Sequence, residues 1–327
     1  MDLPQSIPPP DRLLLGRIEA RVPLVREPYA QIASETGLTE AELLAHLAAL
    51  RSPGGIVREI SGVFDAPALG YEQALVALAV PPERRDRAGR AVAAHPGVSH
   101  AYGRSGTYNL WFTLACSPAS RLGLDATAGL LAEQCQASRR LLLPALRRYK
   151  LHVRLAGADP PTAAAPVPPR RPPELTDAHR RAIRALQDDL PNRPDPFAPP
   201  AERASLDPDM LLVLGADFLA AGWMRRYAAV LRHRAAGAAA NVMVAWRVPA
   251  GRADEAGALA AAVGAVSHCY LRPEGPDWPY TLYTMIHGRS RDDCARAVAQ
   301  VAHAAGLSQR AELWTEAEYA KRRVRLF

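Results

Sequence analysis

One combination of side chains occurs twice in this chain. His100, Tyr102 and Arg104 lie in GVSHAYGR at 97–104, and His268, Tyr270 and Arg272 lie in AVSHCYLR at 265–272, each residue 168 positions after its counterpart. On an extended strand, positions i, i+2 and i+4 share one face. Each trio would therefore present an imidazole, a phenol and a guanidinium together. Imidazole changes charge near neutrality and ligates iron. A phenol offers a hydrogen-bonding ring, and a guanidinium grips a carboxylate with two parallel hydrogen bonds. A lone strand histidine is usually structural. Recurrence of the whole trio argues against that here, while leaving room for one working site and one relic.

The trios belong to a longer internal repeat. Pro23 and Pro28 before Tyr29 match Pro191 and Pro196 before Phe197, and Val80-Pro81 matches Val248-Pro249. Tyr108-Asn109-Leu110-Trp111 matches Tyr280-Thr281-Leu282-Tyr283 after four extra residues in the second copy. Between the copies, AGADPPTAAAPVPPRRPPEL carries seven prolines and reads as a semi-rigid, partly extended linker.

The elements that would position the trios follow from pattern. Residues 11–20 and 28–36 read as helices, the second opened by Pro28 and stopped at Gly37. Thr39 and Glu42 form a capping box for a third helix, which ends at Pro53-Gly54-Gly55. With the extended GIVREISGVF these read as a winged helix-turn-helix. From Gly70 onward the order is strand, helix, strand, strand, helix and extended segment, the βαββαβ of a ferredoxin-like domain. The expected class is α+β, a tandem duplication of both modules. The boundaries are 1–66 for the first winged helix-turn-helix, 67–155 for the first ferredoxin-like domain, 156–174 for the linker, 175–233 for a second, degenerate helix-turn-helix, and 234–327 for the second ferredoxin-like domain.

Composition bounds the function. Hydrophobic residues make up 49% of 327, enough for real cores. No apolar run approaches the roughly 20 residues of a membrane helix, and MDLPQSIPPP lacks the features of a secretion signal. Four cysteines without a C-x-x-C pair suit a reducing cytosol rather than a disulfide framework or zinc site, so a cytoplasmic location is expected. The net charge of +7 favours a polyanion, nucleic acid or a small polycarboxylate alike.

A winged helix-turn-helix before a βαββαβ domain is also the layout of the Lrp/AsnC transcription regulators. A DNA-reading helix needs exposed Arg, Lys, Asn or Gln. The candidate in copy one carries Glu40, Glu42 and His46 with Arg51 only at its end, and SLDPDMLLVLGADFL in copy two carries three aspartates and no base. These groups would repel phosphate. Pro199 and Pro200 also fall where the second helix of copy two should run. DNA binding is the disfavoured alternative.

PGVSHAYGRSGTYNLWFTLA and the upstream GVFDAPALGY resemble signature segments of the siroheme decarboxylases. VSHCYLRPEGPDWPYTLYTMIHGRSRDD resembles the partner subunit's version, and LPALRRYK and LWTEAEYAKRRVRLF also fit. The single chain resembles the fused form of haem d1 biosynthesis; the family also serves an alternative haem route. The resemblance implies loss of two acetate carboxyls from siroheme as CO2, giving 12,18-didecarboxysiroheme. It implies no cofactor beyond the iron-containing substrate, and no membrane. It also implies an intrachain pseudo-dimer, with further oligomers or related decarboxylase subunits admissible. Siroheme's eight carboxylates would account for the basic charge. A carrier without catalysis is a third reading.

Roles follow from the resemblance. His100 and His268 are candidates for proton donor or for contact with the siroheme iron, and Arg104 and Arg272 for carboxylate anchors. Tyr102, Tyr108, Tyr270 and Tyr280 are candidates for hydrogen bonding or proton transfer, with Asn109 as a further substrate contact. Trp111, Trp278 and Tyr283 are candidates for packing on the macrocycle, Trp111 equally for sheet core. Arg58, Arg225 and Arg226 lie in the wing strands where the family has paired arginines, although Glu59 follows Arg58. Gly103 is small where a larger residue is common. Lys321, Arg322 and Arg323 read more readily as a solvated tail than as substrate contacts.

Overall fold

The computed structural model describes residues 7–151, the backbone of 165–166, 174–232 and 240–327. The first copy opens with helices α1 (Pro9–Ala20), α2 (Pro28–Thr36) and α3 (Glu40–Arg51). Gly37 ends α2 at φ 73°, in the left-handed region that glycine enters without a Cβ clash. At α3 the Thr39 amide donates to Glu42 Oε2 at 2.8 Å and the Glu42 amide donates to Thr39 Oγ1 at 3.3 Å. Then come β1 (Val57–Phe64), β2 (Glu72–Ala79), α4 (Arg85–Ala94), β3 (Val98–Arg104), β4 (Leu110–Cys116), α5 (Gly123–Gln134), β5 (Arg139–Pro144) and β6 (Arg147–Leu151). A two-residue strand, β7 (Ala165–Pro166), lies within the expected linker, most of which falls outside the described residues. The second copy contains α6 (Asp177–Gln187), α7 (Ala198–Arg203), α8 (Pro208–Ala220), β8 (Met224–Leu231), β9 (Ala240–Trp246), α9 (Ala253–Ala262), β10 (Val266–Leu271), β11 (Leu282–Gly288), α10 (Arg291–Ala305) and β12 (Arg310–Lys321).

Two expectations about the helical units need correction. Neither unit builds its own wing hairpin. Each contributes one strand, and β1 pairs antiparallel with β8 from Val57 opposite Leu231 to Phe64 opposite Met224. A solitary strand would leave its buried backbone groups unpaired, and each copy supplies what the other lacks. Nor do the prolines of copy two break a helix. Pro199 and Pro200 fall in the first turn of α7, where backbone amides have no intrahelical acceptor to lose. The two helical units share one core around the ribbon, with Leu15, Ile18 and Leu47 from copy one packed among Ile183, Phe197 and Phe218 from copy two.

The remaining strands form one sheet in the order β5-β2-β4-β3-β12-β9-β11-β10-β6-β7. Within it each copy shows the ferredoxin-like order, and the copies are stitched together by exchange. The first half of β12 pairs with β9, its second half with β3. Likewise β5 pairs with β2 in its own copy, while β6, two residues further on, pairs with β10 in the other. Because β5 and β6 are nearly continuous, the sheet curls until its ends meet.

Matching locks hold the exchanged strands. Tyr319 of β12 packs on Gly89 of α4 and its hydroxyl donates to Asp86. Tyr149 of β6 packs on Gly257 of α9 and its hydroxyl donates to Asp254 at 2.7 Å. A Cβ at Gly257 would sit 2.3 Å from the Tyr149 ring, and one at Gly89 2.4 Å from Tyr319. Gly103 is explained by the same seam, since a Cβ there would meet the Tyr319 hydroxyl at 3.1 Å. The residues after β12 are no solvated tail. Arg322 donates to the carbonyls of Ala93, His95 and Val98, Arg323 to Ser61 and Gly62, and Phe327 stacks edge-on against Tyr71.

Candidate active site

Inside the curled sheet lies a cavity of about 460 Å³, within the usual range for small-molecule sites. Both trios line it: His100, Tyr102 and Arg104 from β3, and His268, Tyr270 and Arg272 from β10. The sheet's two-residue period aims each trio inward, and the strand exchange brings the two copies around one space. A choice between a site in copy one and a site in copy two therefore does not arise. The β1–β8 ribbon contributes Phe64 and Arg225 to the wall.

The trios are built alike. The His100 and Tyr102 rings are 6.3 Å apart and those of His268 and Tyr270 6.4 Å. The Arg104 guanidinium lies 5.1 Å from the Tyr102 ring centre, and that of Arg272 lies 5.0 Å from Tyr270 and 5.7 Å from Tyr283. Nδ1 of His100 is 3.0 Å from Ser99 Oγ, and Nδ1 of His268 is 2.9 Å from Ser267 Oγ. In the second copy the Ser267 hydroxyl donates to the Met285 carbonyl at 3.0 Å. Its only proton being used there, Nδ1 of His268 must be the donor to it. Nε2 is then the ring nitrogen to which a second proton would add.

Electrostatics set the trios' state. Arg104 is only 3% exposed. It donates to the Leu313 carbonyl and to Thr315 Oγ1, both at 2.9 Å, while its Nε has no partner. Arg272 donates to the Leu143 carbonyl at 2.5 Å, and its Nε is also unpartnered. Neither meets a carboxylate among the described residues. Burial pushes both down, Arg104 to about 10, with the adjacent tyrosines working in the opposite direction. Burial also lowers His100 to about 4, helped by the charges of Lys321 and Arg58. His100 presents surface to the cavity, and protein encloses it on the other sides. Tyr270 is raised by burial against the opposing pull of Arg272, Arg225 and Arg148. Tyr283, raised by burial to about 12, accepts from Trp278 Nε1 at 2.7 Å.

Several expected contacts lie elsewhere. Asn109 does not line the cavity; its side chain bridges the amide and carbonyl of Val80 at 3.0 and 2.8 Å. Tyr108, Trp278 and Tyr280 pack with one another behind the wall, since they lie in the connections before β4 and β11 rather than on the strands that carry the trio face. Trp111 and Tyr283 do line it, and Trp111 is both wall and core, donating to the Tyr108 carbonyl at 2.6 Å. Of the neighbours Arg225 and Arg226, opposite faces are inevitable. Arg225 reaches the cavity and pairs with Asp65 at 3.0 Å, whereas Arg226 donates back to the Glu19 carbonyl at 3.3 Å. Arg58 touches the site only through its charge on His100. The wall also includes Thr113, Met285, Met243, Gln73, His287, Leu151 and Lys321. Thr113, Met285 and His287 were discoverable, lying two or four positions after Trp111 or Tyr283 on the same strand face. The others enter from strands whose alternation carries no such landmark.

All four cysteines are buried as free thiols. Among the described residues no group of three or more His, Cys, Asp or Glu is placed to hold a metal ion, and no helix is long and apolar enough to cross a membrane.

The chain is similar to known proteins along most of its length. The AsnC-like ligand binding domain matches residues 68–150 and 235–320, and the siroheme decarboxylase NirDL-like HTH domain matches residues 11–58. The siroheme decarboxylase of Hydrogenobacter thermophilus is 33% identical, covering 96% of this chain and 94% of its own. The siroheme decarboxylase NirDL subunit of Paracoccus pantotrophus is 32% identical, covering 89% and 88%. A crystal structure of the siroheme decarboxylase NirDL in complex with an iron-uroporphyrin III analogue matches with a TM-score of 0.77 at 30% identity, covering 97% of this chain and 94% of that one.

Proposed function

The chain belongs to the siroheme decarboxylase family, and we propose from that premise that its central cavity removes two acetate carboxyls from siroheme, giving 12,18-didecarboxysiroheme. The observation that carries this reading is the pair of guanidiniums on the cavity wall, Arg104 and Arg272, held in protein without a carboxylate partner. Unpaired buried charge is costly, and a polycarboxylate supplies the missing anions.

Bound siroheme brings the iron and the conjugated ring that accepts the electrons left by CO2; no separate organic cofactor enters this scheme. The chain's own task is to hold an acetate in place, exclude water and deliver a proton to the new methyl carbon. At least one of the two histidines is the proton carrier in this scheme. His100, lowered to about 4 by burial and the nearby cations, is neutral at pH 7. Arrival of carboxylates beside it raises its affinity for a proton. Tyr102 and Tyr270 donate hydrogen bonds, and burial keeps the Tyr270 phenol protonated. The same reading places the enzyme in the cytoplasm, in haem d1 or alternative haem synthesis. It works there as an intrachain pseudo-dimer, alone or with related subunits.

The regulator alternative finds little support in the helical units. On α3 the outward positions are Ala41, Glu42, Ala45, Ala48 and Ala49, and on α8 they include Asp209, Met210, Val213 and Asp217. Neither set can contact phosphate as a donor cation. The deciding experiment assays His100→Ala and His268→Ala separately, anaerobically, for CO2 and the mono-decarboxylated product by mass. A large loss of turnover is expected for at least one. Wild-type turnover in both would remove the histidines from the mechanism, and a wild-type chain that binds siroheme without releasing CO2 would make it a carrier.

A further inference from the structure

The two trios match, but their flanks do not. In antiparallel pairing, directly opposite residues share a face of the sheet. His100 lies opposite Thr113 of β4 on one side and Lys321 of β12 on the other. His268 lies opposite Met285 of β11 and Leu151 of β6. All four flanking residues line the cavity. One histidine thus sits between a hydroxyl and an ammonium, the other between a thioether and an isobutyl group. The exchanged strands supply half of the difference, since each delivers its last residue to the other copy's histidine, while Thr113 and Met285 come from the histidine's own copy. The charge of Lys321 also bears on its neighbour, pushing His100 down more than any other single charge, after burial.

We propose that the cavity is polarised, Lys321 being a substrate-binding residue that holds a non-reacting carboxylate at the His100 end while the reacting acetate lies at the His268 end between Met285 and Leu151. The proposal rests on the siroheme decarboxylase reading and adds the substrate's orientation. A carboxylate paired with an ammonium is stabilised as an anion and resists conversion to neutral CO2. A carboxylate between apolar groups has lost solvation that CO2 does not need. In the step itself the bond between the acetate methylene and the carboxyl carbon breaks and CO2 leaves. The electron pair stays with the methylene carbon and the ring, and a proton from Nε2 of protonated His268 completes the methyl group. Neutral His268 then regains a proton from solvent, with no change in oxidation state.

The test has two arms. In the first, Lys321→Met and Lys321→Arg are titrated with iron uroporphyrin III by absorption at low and moderate salt. Losing one ion pair in a partly enclosed site is expected to weaken binding about tenfold and to flatten its salt dependence. Arginine is expected to restore most of both. In the second arm, Leu151→Lys places an ammonium beside His268. Siroheme turnover is expected to fall at least about tenfold while the porphyrin binds as tightly or tighter. Binding by Lys321→Met within twofold of wild type, or undiminished turnover in Leu151→Lys, overturns the polarity. The first arm needs no catalysis, so failure of the decarboxylase reading would appear separately, as a wild-type chain that releases no CO2.

Discussion

Replacing Arg104 with methionine separates a ligand anchor from a structural strut. Burial holds Arg104 at about 10 against an ordinary 12.5, which corresponds to about 3 kcal/mol disfavouring the charge in the empty protein. Methionine removes that cost. It also removes the hydrogen bonds to the Leu313 carbonyl and Thr315 Oγ1 and the contact with the Tyr102 ring, together worth about 2–5 kcal/mol. These effects nearly cancel, so the empty variant should lie within about 2 kcal/mol of wild type and its Tm within about 6 °C. Binding should respond differently. A carboxylate deprived of its buried partner loses about 2–5 kcal/mol, a Kd increase of roughly 30-fold to several-thousand-fold. At iron uroporphyrin III one hundred times the wild-type Kd, ligand stabilisation of about 2.7 kcal/mol should fall below about 1 kcal/mol. Thermal melts with and without the porphyrin read both quantities. If the empty variant loses more than about 4 kcal/mol and its affinity is unchanged, Arg104 is a seam residue and the anchor assignment is refuted.

Further outcomes follow from particular contacts. Gly89→Ala and Gly257→Ala should each destabilise by about 1–3 kcal/mol in urea titrations through collision with Tyr319 and Tyr149. Gly129→Ala, in α5 with open space around it, should instead stabilise by about 0.5–1 kcal/mol. Asn109→Ala should cost about 2 kcal/mol by orphaning both Val80 backbone groups, with porphyrin affinity unchanged within about twofold by titration. His100 lies below its unfolded value of 6.5, at about 4, so the unfolded chain takes up the proton first as pH falls. Stability of the empty protein from this group is therefore complete above about 6.5 and declines toward about 4, and His100→Gln should flatten that slope in melts from pH 7.5 to 4.5.

What the sequence disclosed and what it hid divide by range. The capping box at Thr39 and Glu42, the stop at Gly37 and the inward-facing trios are set by neighbours a few residues apart, and all are legible from spacing. The pairing of β1 with β8 joins residues 160 to 174 positions apart. No local pattern distinguishes it from a wing hairpin. Proline in copy two misled for a related reason, since its cost depends on where α7 begins, and Pro199 falls in its first turn. Asn109 and Tyr108 were drawn to the site by their matched position in the repeat. They lie just before β4, where Asn109 serves as a splint for Val80. The charged end of the chain looked solvated because its partners, from Ser61 to the end of α4, are remote in sequence. Lys321 was undervalued for the same reason, since only the register of β12 against β3 places it beside His100.

The flanking asymmetry also gives the covalent duplication a physical meaning. In a dimer of identical chains related by a twofold axis, whatever stands beside one histidine stands beside the other. An ammonium introduced at one end of the shared cavity would appear at both, and so would an apolar pair. Joining two copies in one polypeptide releases that constraint while keeping the strand exchange, the tyrosine–glycine locks and the matched trios. Residues that serve the closure of the sheet then stay paired across the pseudo-twofold: Tyr149 with Tyr319, Gly89 with Gly257, Asp86 with Asp254. Residues that line the cavity from the exchanged strands, Leu151 and Lys321, are free to differ. A macrocycle with unlike edges calls for a cavity with unlike ends, and the fused chain can supply one where a homodimer cannot.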